Sequence, residues 1–114
     1  MHIQINWEDQ APQIVAAVVY PYPDLRKLWL RVALSAFAEY PNLDVVITDP
    51  DGNDVASLSV VEVHEQELAY TLHLRRAPQP AAMYHAHILL TRGDALLHQI
   101  TVDFPLTFVE PTNG

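Results

Sequence analysis

Apolar residues recur at every second position through most of this chain. Ile3, Ile5 and Trp7 alternate with Gln4 and Asn6. Leu28, Leu30, Val32 and Leu34 alternate with Trp29 and Arg31, and Leu68, Tyr70, Leu72 and Leu74 alternate with Thr71, His73 and Arg75. A period of two puts one set of side chains on a buried face and the other in water, which is how antiparallel sheets bury a core. Turn residues interrupt the rhythm at short, regular intervals, as in a sandwich or barrel. Strands are predicted at residues 2–8, 14–20, 27–36, 43–48, 55–63, 67–75, 83–91 and 96–108, about eight in all.

Individual segments carry more detail. Ile14 to Tyr20 is a continuous apolar run, which predicts a strand covered on both faces until Pro21-Tyr22-Pro23 stops it. Asp49-Pro50-Asp51-Gly52-Asn53 is the sharpest turn signal, because Pro presets φ near −65° and Gly supplies a positive φ. After it, Leu58 and Val60 share one parity and Val61 and Val63 the other, so a bulge or a crossing between sheets is expected there. Asp24 to Tyr40 admits two readings. As a helix, Asp24 would be the N-cap and Leu30, Leu34 and Phe37 would face the wrong way. As a strand, only Trp29 and Phe37 do, and the all-β surroundings favour the strand. For the last hairpin, a three-residue loop at Arg92-Gly93-Asp94 would set Leu90 opposite Leu96, Ile88 opposite His98, Ala86 opposite Ile100 and Tyr84 opposite Val102. His85 and His87 would then point to the other face, toward Thr101 and Gln99.

Composition narrows the function. At 114 residues the chain is the size of one domain, 1–114, able to bury about two thirds of its unfolded surface without a disulfide or metal. It has no cysteine. Six Lys and Arg against fourteen Asp and Glu give a net charge of −8, which argues against nucleic acid and against anionic membranes. The first residues carry no positive segment followed by an apolar run, and no apolar stretch is long enough to span a bilayer, so a cytoplasmic protein is expected.

The strand rhythm, the turn Thr48–Asn53, Tyr84-His85-Ala86 opening a late strand and Val102-Asp103-Phe104-Pro105-Leu106 closing the last resemble bacterial immunoglobulin-like or fibronectin-type-III-like sandwich domains. The resemblance implies an antiparallel Greek-key sandwich. The chain lacks the Cys, Trp, Cys signature of antibody domains. Such modules bind proteins or sugars or act as spacers, and the fold alone selects none of these.

Few residues point to chemistry. His85 and His87 share one strand face at a spacing that could chelate Zn²⁺, but no third ligand is evident, so they are read as an exposed pair and no metal or other cofactor is expected. Asp49-x-Asp51-Gly52-Asn53-Asp54 has alternating oxygens, yet Gly stands fourth and Val60 twelfth, which suits a tight turn better than a calcium loop. Arg92-Gly93-Asp94 is read as turn chemistry rather than an adhesive tripeptide. No nucleophile elbow or phosphate loop is present, and Glu62, Glu65 and Glu67 form a solvated cluster. Aromatics on wet faces are more telling. Trp29, Ala33 and Phe37 are expected on the outer side of their strand with Arg31 beside them and Tyr20 and Tyr22 upstream, the composition of an interface centre. The expectation is a non-enzymatic interaction module working through protein contacts, with a homodimer or a protein partner at Trp29, Arg31, Phe37, Tyr20 and Tyr22. The alternative is a small metal- or carbohydrate-binding accessory domain.

Overall fold

A computed structural model describes residues 11–110. Seven strands follow in chain order: β1 (Ile14–Pro21), β2 (Lys27–Leu34), β3 (Asn42–Thr48), β4 (Asp54–Val60), β5 (Glu67–His73), β6 (Met83–Arg92) and β7 (Ala95–Pro105). They form a three-stranded sheet of order β1-β2-β5 and a four-stranded sheet of order β4-β3-β6-β7, every pair antiparallel. The architecture is an all-β antiparallel sandwich of two sheets. The expected strand at 2–8 lies outside the described residues. No helix among the described residues is long and apolar enough to cross a membrane.

The core is the two inner faces. From β2 come Leu28, Leu30, Val32 and Leu34, and from β3 Leu43, Val45 and Ile47, while β6 adds Tyr84, Ala86, Ile88 and Leu90, all sealed from solvent. This settles residues 24–40. Each buried Leu or Val contributes roughly 1.5–3 kcal/mol, so a helix that turned Leu30 and Leu34 outward would forfeit roughly 3–6 kcal/mol. Asp24 caps no helix. It accepts the Arg26 N–H at 2.9 Å in the β1–β2 turn, where Leu25 takes a left-handed φ of 58°.

Three expectations change in the structure. β1 lies in a two-layer sandwich, so the apolar run is covered on one face only: Ile14 is buried, but Val15 and Tyr20 are 61% and 51% exposed. The hairpin of β6 and β7 has a two-residue turn, Gly93-Asp94, between Arg92 and Ala95, with a positive φ at Gly93 as a type II′ turn requires. A register shift between Leu90 and Thr91 adds a second single-residue offset. Together they move each β7 partner by two, so Leu90 faces His98, Ile88 faces Ile100, Ala86 faces Val102 and Tyr84 faces Phe104. Parity survives and the inner and outer faces stay as expected, but His85 faces Asp103 and His87 faces Thr101. Finally, β4 ends at Val60. Glu62 adopts φ 57°, its N–H bonded to Asn42 Oδ1, and this leaves Val61 exposed while Val63 enters the core as the chain crosses to β5.

Polar groups close the ends of the sandwich. Tyr84, 1% exposed, accepts the backbone N–H of Gln79 at 3.0 Å through its hydroxyl, the back-bond of a tyrosine corner at the start of β6. A buried phenol without such a partner would cost stability. The Ile14 N–H donates to His98 Nδ1 at 2.9 Å, tying the start of β1 to β7 in the other sheet.

At the β3–β4 turn, Asp49 is the buried charged residue among those described. Its carboxylate accepts the N–H groups of Asp51 and Asn53, both at 2.9 Å, and the Asn53 side-chain amide at 3.3 Å. Gly52, at φ 84°, closes the backbone turn onto the Asp49 carbonyl. The Asn53 N–H above all, then the Asn53 side chain, the Asp51 N–H and the Arg76 charge, hold the carboxyl below its ordinary value against the opposing effect of burial. A folded value below the unfolded one of about 3.9 means that the stabilisation is complete above that unfolded value and is lost as pH falls through the folded one. The urea midpoints of wild type and Asp49→Asn, compared from neutral pH downward, should therefore converge below about pH 4. A gap that stayed constant with pH would show that the charge of Asp49 does not hold the turn.

Candidate functional site

The outer face of the three-stranded sheet carries the aromatic residues. Antiparallel register sets Tyr20 of β1 and Thr71 of β5 on either side of Trp29 in β2, and Val18 and Ala69 on either side of Arg31. Strand parity dictates this, since Leu28, Leu30 and Val32 point inward and their neighbours must point out. Tyr20 and Trp29 stack with centroids 5.6 Å apart, and the Arg31 guanidinium lies 5.7 Å from the Trp29 ring. Trp29 is thus half-buried between an aromatic and a cation, both of which favour its π-face.

Tyr22 continues the row past the end of β1. Its hydroxyl pairs with Thr71 Oγ1 at 3.0 Å, and the Lys27 ammonium stands 5.2 Å from its ring. Lys27 also meets the Asp24 carboxylate at 3.7 Å. The carboxyl of exposed Asp24 is held below its ordinary value chiefly by the Arg26 N–H and also by the Lys27 charge.

The tail after β7 supplies the opposite wall. Phe108, Val109 and Glu110, with Pro23, face Tyr20, Tyr22, Trp29 and Arg31 across an open groove of about 770 Å³. Sequence reasoning placed Phe108 at the end of a strand and assigned nothing to Val109 or Glu110. The usable signal was Pro105, which ends β7 and releases the apolar pair beyond it from the ladder.

Four of the five expected interface residues therefore meet. Phe37 does not. β2 ends at Leu34, so strand parity no longer governs residue 37, and its ring packs half-buried against the core and edge-on to Tyr40 at 6.4 Å. Tyr40 stacks in turn on His64 at 3.9 Å.

His85 and His87 lie on the outer face of the other sheet, ring centroids 6.3 Å apart. His85 Nδ1 is 2.7 Å from Asp103 Oδ1. Both nitrogens of His87 are engaged, Nε2 with Thr48 Oγ1 at 3.1 Å and Nδ1 with Thr101 Oγ1 at 3.2 Å. Among the described residues no three His, Cys, Asp or Glu side chains are placed to hold a metal ion. Arg92 is turned away from the hairpin tip. It donates to the Glu39 carbonyl at 3.1 Å, and its Nε makes a 3.3 Å ion-pair contact with Glu39 Oε2 that lacks hydrogen-bond geometry. The Arg-Gly-Asp tripeptide is accordingly not displayed as a unit.

No protein-family model matches the chain, and no curated protein matches it. Solved structures do. A glycosyl hydrolase family 2 member from Bacteroides cellulosilyticus aligns over 83% of this chain and 14% of its own, with a TM-score of 0.66 and 14% identity. A β-glucuronidase from Bifidobacterium dentium aligns over 83% of this chain and 18% of its own, with a TM-score of 0.66 and 13% identity. A β-glucuronidase from Ruminococcus gnavus aligns over 82% and 16%, with a TM-score of 0.56 and 15% identity. The chain thus spans under a fifth of the length of these structures. The likeness is one of fold, and it corrects the expectation of an independent interaction module acting through protein contacts. In these neighbours the same sandwich is a small part of a glycosidase chain.

The geometry separates Trp29 from the core. Leu30→Ala, at a fully sealed position, should destabilise by about 2–5 kcal/mol. Trp29→Ala removes a stacking pair on an open face and should cost about 1–2 kcal/mol. Urea denaturation of both variants checks this, and equal losses would place Trp29 in the core.

Proposed function

We propose that this chain serves as a non-catalytic sandwich domain of a family 2 glycoside hydrolase type enzyme, of the immunoglobulin-like kind its sequence resembles. The observation that carries this reading is the extent of the match: more than four fifths of the chain superposes on a small part of several glycosidases. The chemistry of the described residues supports it. Glycoside hydrolysis needs two carboxyl groups flanking the bond, one of them protonated to act as acid. Asp49, the buried carboxylate, is tied to its own turn and its carboxyl is held below the ordinary range, the opposite of what an acid catalyst requires.

The domain then contributes shape and surface, and bond cleavage belongs to other parts of such an enzyme. The purified 114-residue chain should not turn over 4-nitrophenyl β-glucuronide or β-galactoside between about pH 4 and 8, the range over which catalytic carboxyl groups titrate. Heat-labile turnover that persisted through purification and fell on substitution of one of its carboxylates would overturn the reading.

A further inference from the structure

We propose that the groove between the Tyr20–Trp29 pair and the residue 108–110 tail binds a saccharide, specifically the ring of a neutral pyranose. The groove combines two chemistries seldom wanted together. Its walls are aromatic, with Tyr20 51% exposed and Phe108 40% exposed. Its charged side chains are one guanidinium, Arg31, and one carboxylate, Glu110. Their charges cancel, so neither an anion nor a cation is favoured as a whole. A wholly apolar occupant would strip water from both charges without replacing its hydrogen bonds, at high cost. A neutral pyranose matches each part. Its C–H face is apolar and lies flat against an aromatic ring, while its edge hydroxyls accept from a guanidinium and donate to a carboxylate.

The platform is also built in advance. Trp29 is packed against Tyr20 and Arg31, and the Tyr22 hydroxyl is paired with Thr71, so little side-chain freedom is lost on binding. The volume of about 770 Å³ falls within the size range of small-molecule sites, and the groove is open along one side, as a chain of sugar units would need. This chemistry is independent of whether the sandwich works inside a longer enzyme.

The test uses the full chain carrying Trp7→Phe, so that Trp29 is the one remaining tryptophan of the two. Cellobiose, maltose and lactose are titrated while Trp29 emission is followed, with glucuronate, glucosamine and inorganic phosphate as charged probes. At least one neutral disaccharide should give a saturable change with a Kd of about 1 mM or tighter, and the charged probes should bind about tenfold more weakly or not at all. Tyr20→Ala and Arg31→Gln should each weaken binding about tenfold. Arg31→Gln should leave the melting temperature nearly unchanged, since that side chain is exposed. Tyr20→Ala, which also removes the stack on Trp29, should lower it by several degrees and leave the chain folded at the assay temperature. Thr101→Ala, on the opposite sheet, should leave binding unaltered. The proposal falls if none of the three disaccharides gives a saturable change or if a charged probe binds more tightly. It falls equally if Tyr20→Ala and Arg31→Gln bind as wild type does, or if Trp29 emission shifts with protein concentration alone, which would make a second copy the occupant.

Discussion

Strand parity is the constraint from which the rest of this molecule follows. A side chain that points inward on β2 fixes its two neighbours as outward, and the inward set shares one core with those of β3 and β6. A slip of one residue in β2 would exchange Leu28, Leu30, Val32 and Leu34 for Lys27, Trp29, Arg31 and Ala33. The same requirement that buries four aliphatic residues therefore lines up Trp29 and Arg31 on the outside. The Trp29–Arg31 wall of the groove is the complement of the core, and the sequence could not specify one without the other.

This explains why some features were readable in advance. Central strands β2, β3 and β6 are pinned on both sides, and their period-two pattern matches their burial nearly residue for residue. The Asp49–Gly52 turn was equally clear, because Pro and Gly dictate backbone angles locally. β1 was misjudged for the opposite reason. Ile14 to Tyr20 is apolar throughout, and nothing within a seven-residue run says whether a further layer will cover its outer face. That is decided by packing against distant residues.

The hairpin register shows a related limit. A two-residue turn and a register shift each displace β7 by one position, and the two displacements conceal one another in the alternation. Reading the pattern alone returns the correct faces and the wrong partners. The groove was half legible: Tyr20, Tyr22, Trp29 and Arg31 announced themselves as aromatics beside a cation on outward positions. Phe108, Val109 and Glu110 did not, because a tail beyond the last strand obeys no period.

The bond from the Ile14 amide to His98 has a chemical corollary. An amide N–H only donates, so Nδ1 of His98 must present a lone pair, and the ring hydrogen must sit on Nε2. A doubly protonated imidazole has no lone pair to offer at either nitrogen. The closure between β1 and β7 thus selects a single tautomer of one ring, and the ¹⁵N shifts of that ring distinguish a shut sandwich from one whose first strand has come loose.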